Sequence, residues 1–358
     1  MQILRFSYGE LREFCANVLE ALGVPKPAAF LVSDSLVAAN LRGVDSHGVQ
    51  MLPLYIDQIK AGSVDPSAVG HVLTESGTCL TYDGENGLGQ VVADRCVDHA
   101  IRLVGQSGVS LVVARNSNHF GAAAYWGTKL GRAGLIGIVM CNASPGVPPW
   151  QGKEPRVGTN PICMAVPGDG WGSWLLDMAT TTVAMGKLDD AAYRNQDTIP
   201  AGWAIDKAGN PTTDTQTALQ GFMLPLGGYK GSGLALMAEI LSAVLAGGPV
   251  STEVGSLRSG FSPLRISQMF LAIDPARFIG LKEFQDRTAR LVELVKSAAP
   301  ASGYDEVLVA GEPEWRNEQL RRREGIPIPA RLWERLADIA GSLNVSVPSG
   351  GLANNSEA

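Results

Sequence analysis

One of the four histidines, His47, stands beside a hydroxyl in Arg42-Gly43-Val44-Asp45-Ser46-His47-Gly48, between glycines and just past the end of a predicted helix. An imidazole gives or takes a proton around neutrality, and a flanking glycine lets the backbone approach a ligand, so a proton-transfer residue is expected here. His119 has a similar setting in Asn116-Ser117-Asn118-His119-Phe120-Gly121, directly after the apolar strand-like run 109–114, whereas His71 and His99 have no such neighbourhood. Both stretches also fit plainer roles. Ser46 can cap the next helix with His47 hydrogen-bonded beside it, and His119 can be a core histidine at a strand end.

Two further segments have polar groups where a ligand could use them. Leu226-Gly227-Gly228-Tyr229-Lys230-Gly231-Ser232-Gly233 opens the apolar run 234–246. Glycines let backbone N–H groups reach an anion, a helix N-terminus favours negative charge, and Lys230 adds a point charge. The spacing matches neither phosphate-loop nor dinucleotide fingerprint, so by motif alone a flexible turn is the better fit. Asp177-Met178-Ala179-Thr180-Thr181-Thr182 ends a strand with an acid and three hydroxyls, suited to a ribose, a phosphate or simply a turn. A serine hydrolase is disfavoured, because Ser46 lacks the G-x-S-x-G elbow and adjacent Ser and His side chains rarely face each other. His47, His119 and Asp45 lack metal-ligand spacing, so no metal is expected.

The 358 residues suffice for two or three lobes, and 45% hydrophobic with 18% charged residues is ordinary for a soluble globular chain. A net charge of −6 provides no footprint for nucleic acid or an anionic membrane. Residues 1–10 contain no apolar core behind basic residues, so the expected location is the cytoplasm. The run 234–246 is interrupted by Glu239 and is shorter than the roughly 20 apolar residues of a membrane helix, which makes it a buried helix. The five cysteines are scattered and never spaced C-x-x-C, and are expected to be buried small hydrophobes.

The positioning elements follow from periodicity. Ser7 and Glu10 form a capping box ahead of a helix carrying Leu11, Phe14, Val18 and Leu22, which Gly23 and Pro25 stop. Further helical segments are predicted over 27–40 and 48–60, the latter tolerating Pro53 only in its first turn. After residue 62 the pattern becomes α/β, with a helix over 89–105 and strands over 109–114, 135–141, 162–166 and 174–177. The Pro- and Gly-rich stretch 143–161 is long enough to be functional. Helices follow Gly233 and cover 287–297 and 330–342. The expected organisation is an N-terminal helical lobe (1–70), a mixed α/β core with the cofactor domain (71–275), a C-terminal segment returning to the first lobe (276–348) and a disordered tail (349–358).

Taken together, the segments 42–48, 117–121, Gly158-Thr159-Asn160-Pro161, Leu176-Asp177-Met178-Ala179, 224–231 and Gly311-Glu312-Pro313 with Gly325-Ile326-Pro327 resemble the malate/L-lactate dehydrogenase-like family. That resemblance covers nearly the whole chain. It implies an α/β fold with a mixed-sheet NAD(P)-binding domain of the L-sulfolactate dehydrogenase-like type rather than a Rossmann domain, helical N- and C-terminal parts, and a homodimer. It also implies His47 as acid/base beside Ser46, with His119 in the same pocket and itself holding the proton-transfer role in some members. Asp177, Met178, Ala179, Lys230, Gly311, Glu312 and Pro313 would touch the cofactor. Asn142 or Ser144, with Thr159 and Asn160, would line the space between cofactor and substrate. Met51 departs from the arginine that many members carry four residues after the histidine, so either Arg42 or Arg156 holds a substrate carboxylate or the substrate differs from a simple 2-oxo acid. Tyr55 lies one turn further and offers a hydroxyl. Ala310 replaces a usual proline.

The expected activity is interconversion of a 2-hydroxy acid and a 2-oxo acid with NAD or NADP. Reduction of a cyclic imino acid such as Δ1-piperideine-2-carboxylate is the alternative, and a non-catalytic nucleotide-binding protein a more distant one. No nucleic acid or membrane partner is expected.

Overall fold

A computed structural model describes residues 3–168, 174–193, 195–257, 262–348 and 351–352. Strand β1 (Ile3–Phe6) leads into helix α1 (Tyr8–Glu20), capped as the sequence predicts: Ser7 Oγ accepts the Glu10 N–H at 3.2 Å, and the Glu10 carboxylate accepts the Ser7 N–H at 3.0 Å. Helix α2 (Lys26–Leu41) ends at Arg42. The helix predicted over 48–60 is shorter than expected. Two tight turns, Asp45–His47 and Val49–Met51, come first, and α3 (Leu52–Lys60) begins only where Pro53 can occupy its first turn.

The central region alternates short strands and helices: β2 (His71–Ser76), β3 (Cys79–Asp83), α4 (Gly89–Ser107), β4 (Val109–Ser117), α5 (Ala123–Arg132), β5 (Ile136–Cys141), β6 (Ile162–Ala165) and β7 (Leu175–Met178). A small excursion follows, comprising α6 (Met185–Tyr193), β8 (Ala204–Ile205), β9 (Pro211–Thr212), α7 (Thr215–Gln220) and β10 (Phe222–Met223). Helix α8 (Tyr229–Glu239) starts inside the glycine-rich segment, earlier than predicted, and opens into a wider π-type turn at Ile240–Val244 before β11 (Ile266–Ile273).

Strand β11 is late in sequence and central in space. The seven-stranded sheet runs β2-β3-β4-β11-β5-β6-β7, with only β3 and β4 parallel. A doubly wound nucleotide-binding sheet is built from parallel strands, so this mixed sheet is a different architecture. Alternate residues of β11 serve opposite faces. Phe270 and Ala272 join Val97, Leu103 and Trp126 under α4 and α5, while Met269 joins Met140, Val113 and Ala238 under α8.

The chain then forms α9 (Leu281–Lys296), α10 (Glu312–Glu324), β12 (Ile326–Pro329) and α11 (Ala330–Ser342). β12 pairs antiparallel with β1, and Ile326, Ile328, Trp333 and Leu336 share one core with Phe6, Phe14, Leu36 and Ile56. Within the tail expected to lack structure, β13 (Gly351–Leu352) pairs with β1; residues 349, 350 and 353–358 lie outside the described residues. Four cysteines are buried as expected, but Cys79 is exposed where β3 begins at the sheet's outer end. No described helix is long and apolar enough to cross a membrane.

Candidate active site

The turn carrying His47 is held from two sides. Asn40, on the last turn of α2, accepts the Val49 N–H at 2.8 Å and donates to Asp45 Oδ1 at 2.6 Å. Gly48 makes that approach possible, since a Cβ there would lie 2.3 Å from Asn40 Oδ1. From α10, Arg321 donates to both Asp45 oxygens at 2.7 and 3.0 Å and to the Asn40 carbonyl at 2.5 Å. Such a bidentate pair fixes direction as well as distance. Ser46 Oγ lies 3.0 Å from His47 Nδ1, so these adjacent side chains do meet, against the expectation from sequence, and both line the cavity.

His119 arrives from the end of β4. Its ring stacks against that of His47, with centroids 5.6 Å apart and planes inclined at 25°. Tyr55 of α3 lies behind it, Oη 2.7 Å from His119 Nδ1. The start of α4 presses on the same segment: a Cβ at Gly89 would lie 2.2 Å from the Asn118 carbonyl and 2.4 Å from that of His119.

Both rings open into a cavity of about 550 Å³, a size suited to a small ligand with part of a cofactor. Arg42, Ser46, Met51, Ser144, Thr159, Asp177, Met178, Ala179, Gly311 and Pro313 also line it. Asp177, at the end of β7, accepts the Ala124 N–H at the start of α5 at 2.8 Å. Asp177 is open to the cleft, yet crowding by protein groups on its other sides raises its carboxyl to about 6, against the opposing pull of that N–H and of Arg42. Burial lowers the His47 pKa below the ordinary value. Arg42 is the only arginine or lysine among the described lining residues, and its buried Nε has no hydrogen-bond partner among them.

Other candidates stand elsewhere. Tyr55 is buried behind His119 and does not line the cavity. Asn160 and Asn142 brace the cavity loops from beneath: Asn160 accepts the Ala143 N–H at 3.0 Å and donates to Glu239 at 2.8 Å, and Asn142 donates to Glu239 at 3.3 Å. Ser144 lines the wall while its hydroxyl joins Gly255 and Leu257. Glu312 turns away from the cavity onto Lys296, at 2.6 Å, and Arg316. Lys230 is exposed at the start of α8, and Arg156 is exposed and paired with Glu154, so the fold brings neither to the histidines. Sequence reasoning missed Arg321, Gln90 and Glu239, whose contacts span long stretches of chain and leave no local signal.

Residues 6–337 match the malate/L-lactate dehydrogenase family. The chain belongs to that family. Among its relatives, malate dehydrogenase of Pyrococcus horikoshii is 39% identical over 350 residues, covering 96% of each chain. L-sulfolactate dehydrogenase of Methanocaldococcus jannaschii is 38% identical over 336 residues, covering 94% of this chain and 96% of the relative. The solved structure of the sulfolactate enzyme superposes with a TM-score of 0.89 at 38% identity, over 96% of this chain and 98% of that one. That of Δ1-piperideine-2-carboxylate reductase from Pseudomonas syringae superposes with 0.84 at 28% identity, over 94% and 99%. The mixed sheet is thus the family's fold, and this malate/L-lactate dehydrogenase family chain is a dehydrogenase-type oxidoreductase.

Proposed function

We propose that this dehydrogenase interconverts a 2-hydroxy acid and its 2-oxo acid, with His47 as the acid/base. The observation that carries the reading is the stacked pair His47 and His119 facing one cavity with Arg42 and the Asp177–Ala179 strand end. A nicotinamide fits the walls: Leu175, Leu176, Val309 and Pro313 offer apolar surface, and Asp177 with the Met178 and Ala179 backbone offers polar contacts. Bound there, NAD or NADP supplies or accepts the hydride. His47 Nε2 gives a proton to the substrate oxygen in reduction and takes it in oxidation. Ser46 orients the ring through Nδ1, and the His119 ring adds a hydrogen bond to the oxygen as its charge develops. The lowered pKa keeps His47 neutral at neutral pH, the form needed for oxidation. The Arg42 guanidinium, with its unmatched buried Nε, holds the substrate carboxylate.

A second reading, reduction of a cyclic imino acid, is favoured by the wall of Met51, Met185 and Met223, which suits an apolar ring carrying a single carboxylate. The proposed assembly is a homodimer. In its support, α8 and the following turn expose Tyr229, Leu236, Ile240 and Val244, an apolar row that a second copy would cover. Nicotinamide absorbance with NADH and NADPH in parallel, against 2-oxo acids and cyclic imino acids, decides between the two chemistries. Turnover of a 2-oxo acid is expected. Turnover of cyclic imines alone would establish the second reading instead.

A further inference from the structure

Gln90, in the first turn of α4, is buried, carries no charge and does not line the cavity. Its amide Nε2 donates to Tyr55 Oη at 3.0 Å, and Tyr55 Oη lies 2.7 Å from His119 Nδ1. The Gly121 N–H points at the same Nδ1 from 3.4 Å. The Tyr55–His119 contact runs either way with the tautomer, and the other two, with the Gln90 amide placed Nε2 toward Tyr55, set its direction. An amide nitrogen cannot accept, so the Tyr55 oxygen receives from Gln90 and its own hydrogen goes to Nδ1. A backbone N–H cannot accept either, so Nδ1 faces two donors and the neutral ring carries its proton on Nε2. We propose that Gln90 is a positioning residue that sets the tautomer of His119 through Tyr55, presenting an Nε2–H donor on the ring edge opposite Tyr55.

Tyr55 is buried, and burial pushes its phenol well above the ordinary range, so it stays protonated and keeps a hydrogen to give to Nδ1. The relay is short and buried, so its hydrogen bonds act on one another and favour one arrangement over its reverse. The tautomer is a property of the free protein. Its use, an N–H aimed at the substrate oxygen, rests on the reading proposed above.

The test is long-range 1H–15N correlation of the full-length protein labelled at histidine, recorded without substrate. Wild type is expected to show His119 as the Nε2–H tautomer. In Gln90→Glu, a near-isosteric change, the carboxylate accepts the tyrosine hydrogen, Tyr55 Oη turns its lone pair to Nδ1, and the His119 signature moves toward Nδ1–H or the doubly protonated ring. Tyr55→Phe removes the relay oxygen and is expected to give a tautomer mixture, with kcat reduced roughly 2- to 10-fold, the range of one hydrogen bond, and KM little changed. A folded Gln90→Glu whose His119 remains Nε2–H overturns the proposal, as does an Nδ1–H wild type. Because the spectra need neither substrate nor turnover, a failed substrate assay with an intact tautomer shift would count against the 2-hydroxy acid reading alone.

Discussion

At the scale of residues, rarity made the site legible. Four histidines in 358 residues leave few candidates for proton transfer, and the two with a hydroxyl or amide neighbourhood are the two whose rings stack at the cavity. Lys230, Arg156 and Glu312 were candidates on charge and local pattern alone, and each points elsewhere because side-chain direction depends on the packed element. Asp177 shows what the site costs in stability. Its folded carboxyl sits at about 6 against an ordinary 3.8, so the native state holds this proton more tightly than the unfolded chain. That stabilisation is present below the unfolded value and lost as pH rises through the folded one, leaving a penalised carboxylate at neutral pH. The side chain opens onto the cleft, which reduces the penalty to on the order of 1 kcal/mol. Asp177→Asn should therefore raise the urea midpoint at pH about 8 and not at pH about 4; an equal gain at both would contradict burial as the cause.

At the scale of elements, the capping box of α1, the helix at 330–342 and most strands of the sheet were readable because their apolar spacing matches their geometry. Two elements that matter most were not. Strand β11 joins Ser267 and Gln268, both buried, to a continuous apolar run, so it lacks the alternation that marks a half-exposed strand. Helix α10, Glu-Pro-Glu-Trp-Arg-Asn-Glu-Gln-Leu-Arg-Arg-Arg-Glu, has almost no apolar face, yet it delivers Arg321 to the turn that carries His47. Arg321→Ala should free Asp45 and loosen the turn that carries His47. The Asp45 side chain is 45% exposed, so the expected stability loss is modest, about 1–2 kcal/mol. The larger effect is expected in kcat, roughly tenfold, since small misplacement of a reacting group is expensive. Denaturation midpoints beside steady-state rates check both, and an unchanged kcat would remove α10 from the account of the site.

At the scale of the whole molecule, β12 returns the end of the chain to β1, while the turn after α2, the start of α5, β7, the start of β11 and the approach to α10 each contribute a wall of one cavity. The proposed dimer belongs to this scale. Sedimentation velocity should give twice the chain mass, and Ile240→Glu, placed on the exposed row of α8 and its turn, should shift it to monomer; a monomeric wild type would contradict the proposal. Whether His47 moves the proton is read from the pH dependence of kcat/KM in both directions for wild type and His47→Ala. With the His47 pKa held below the ordinary 6.5, the reductive rate should fall as pH rises through that lowered value and the oxidative rate should fall as pH drops through it. His47→Ala should lose about 10²–10⁴ in turnover and both limbs with it. Retention of either limb at near wild-type rate in that variant would contradict the assignment.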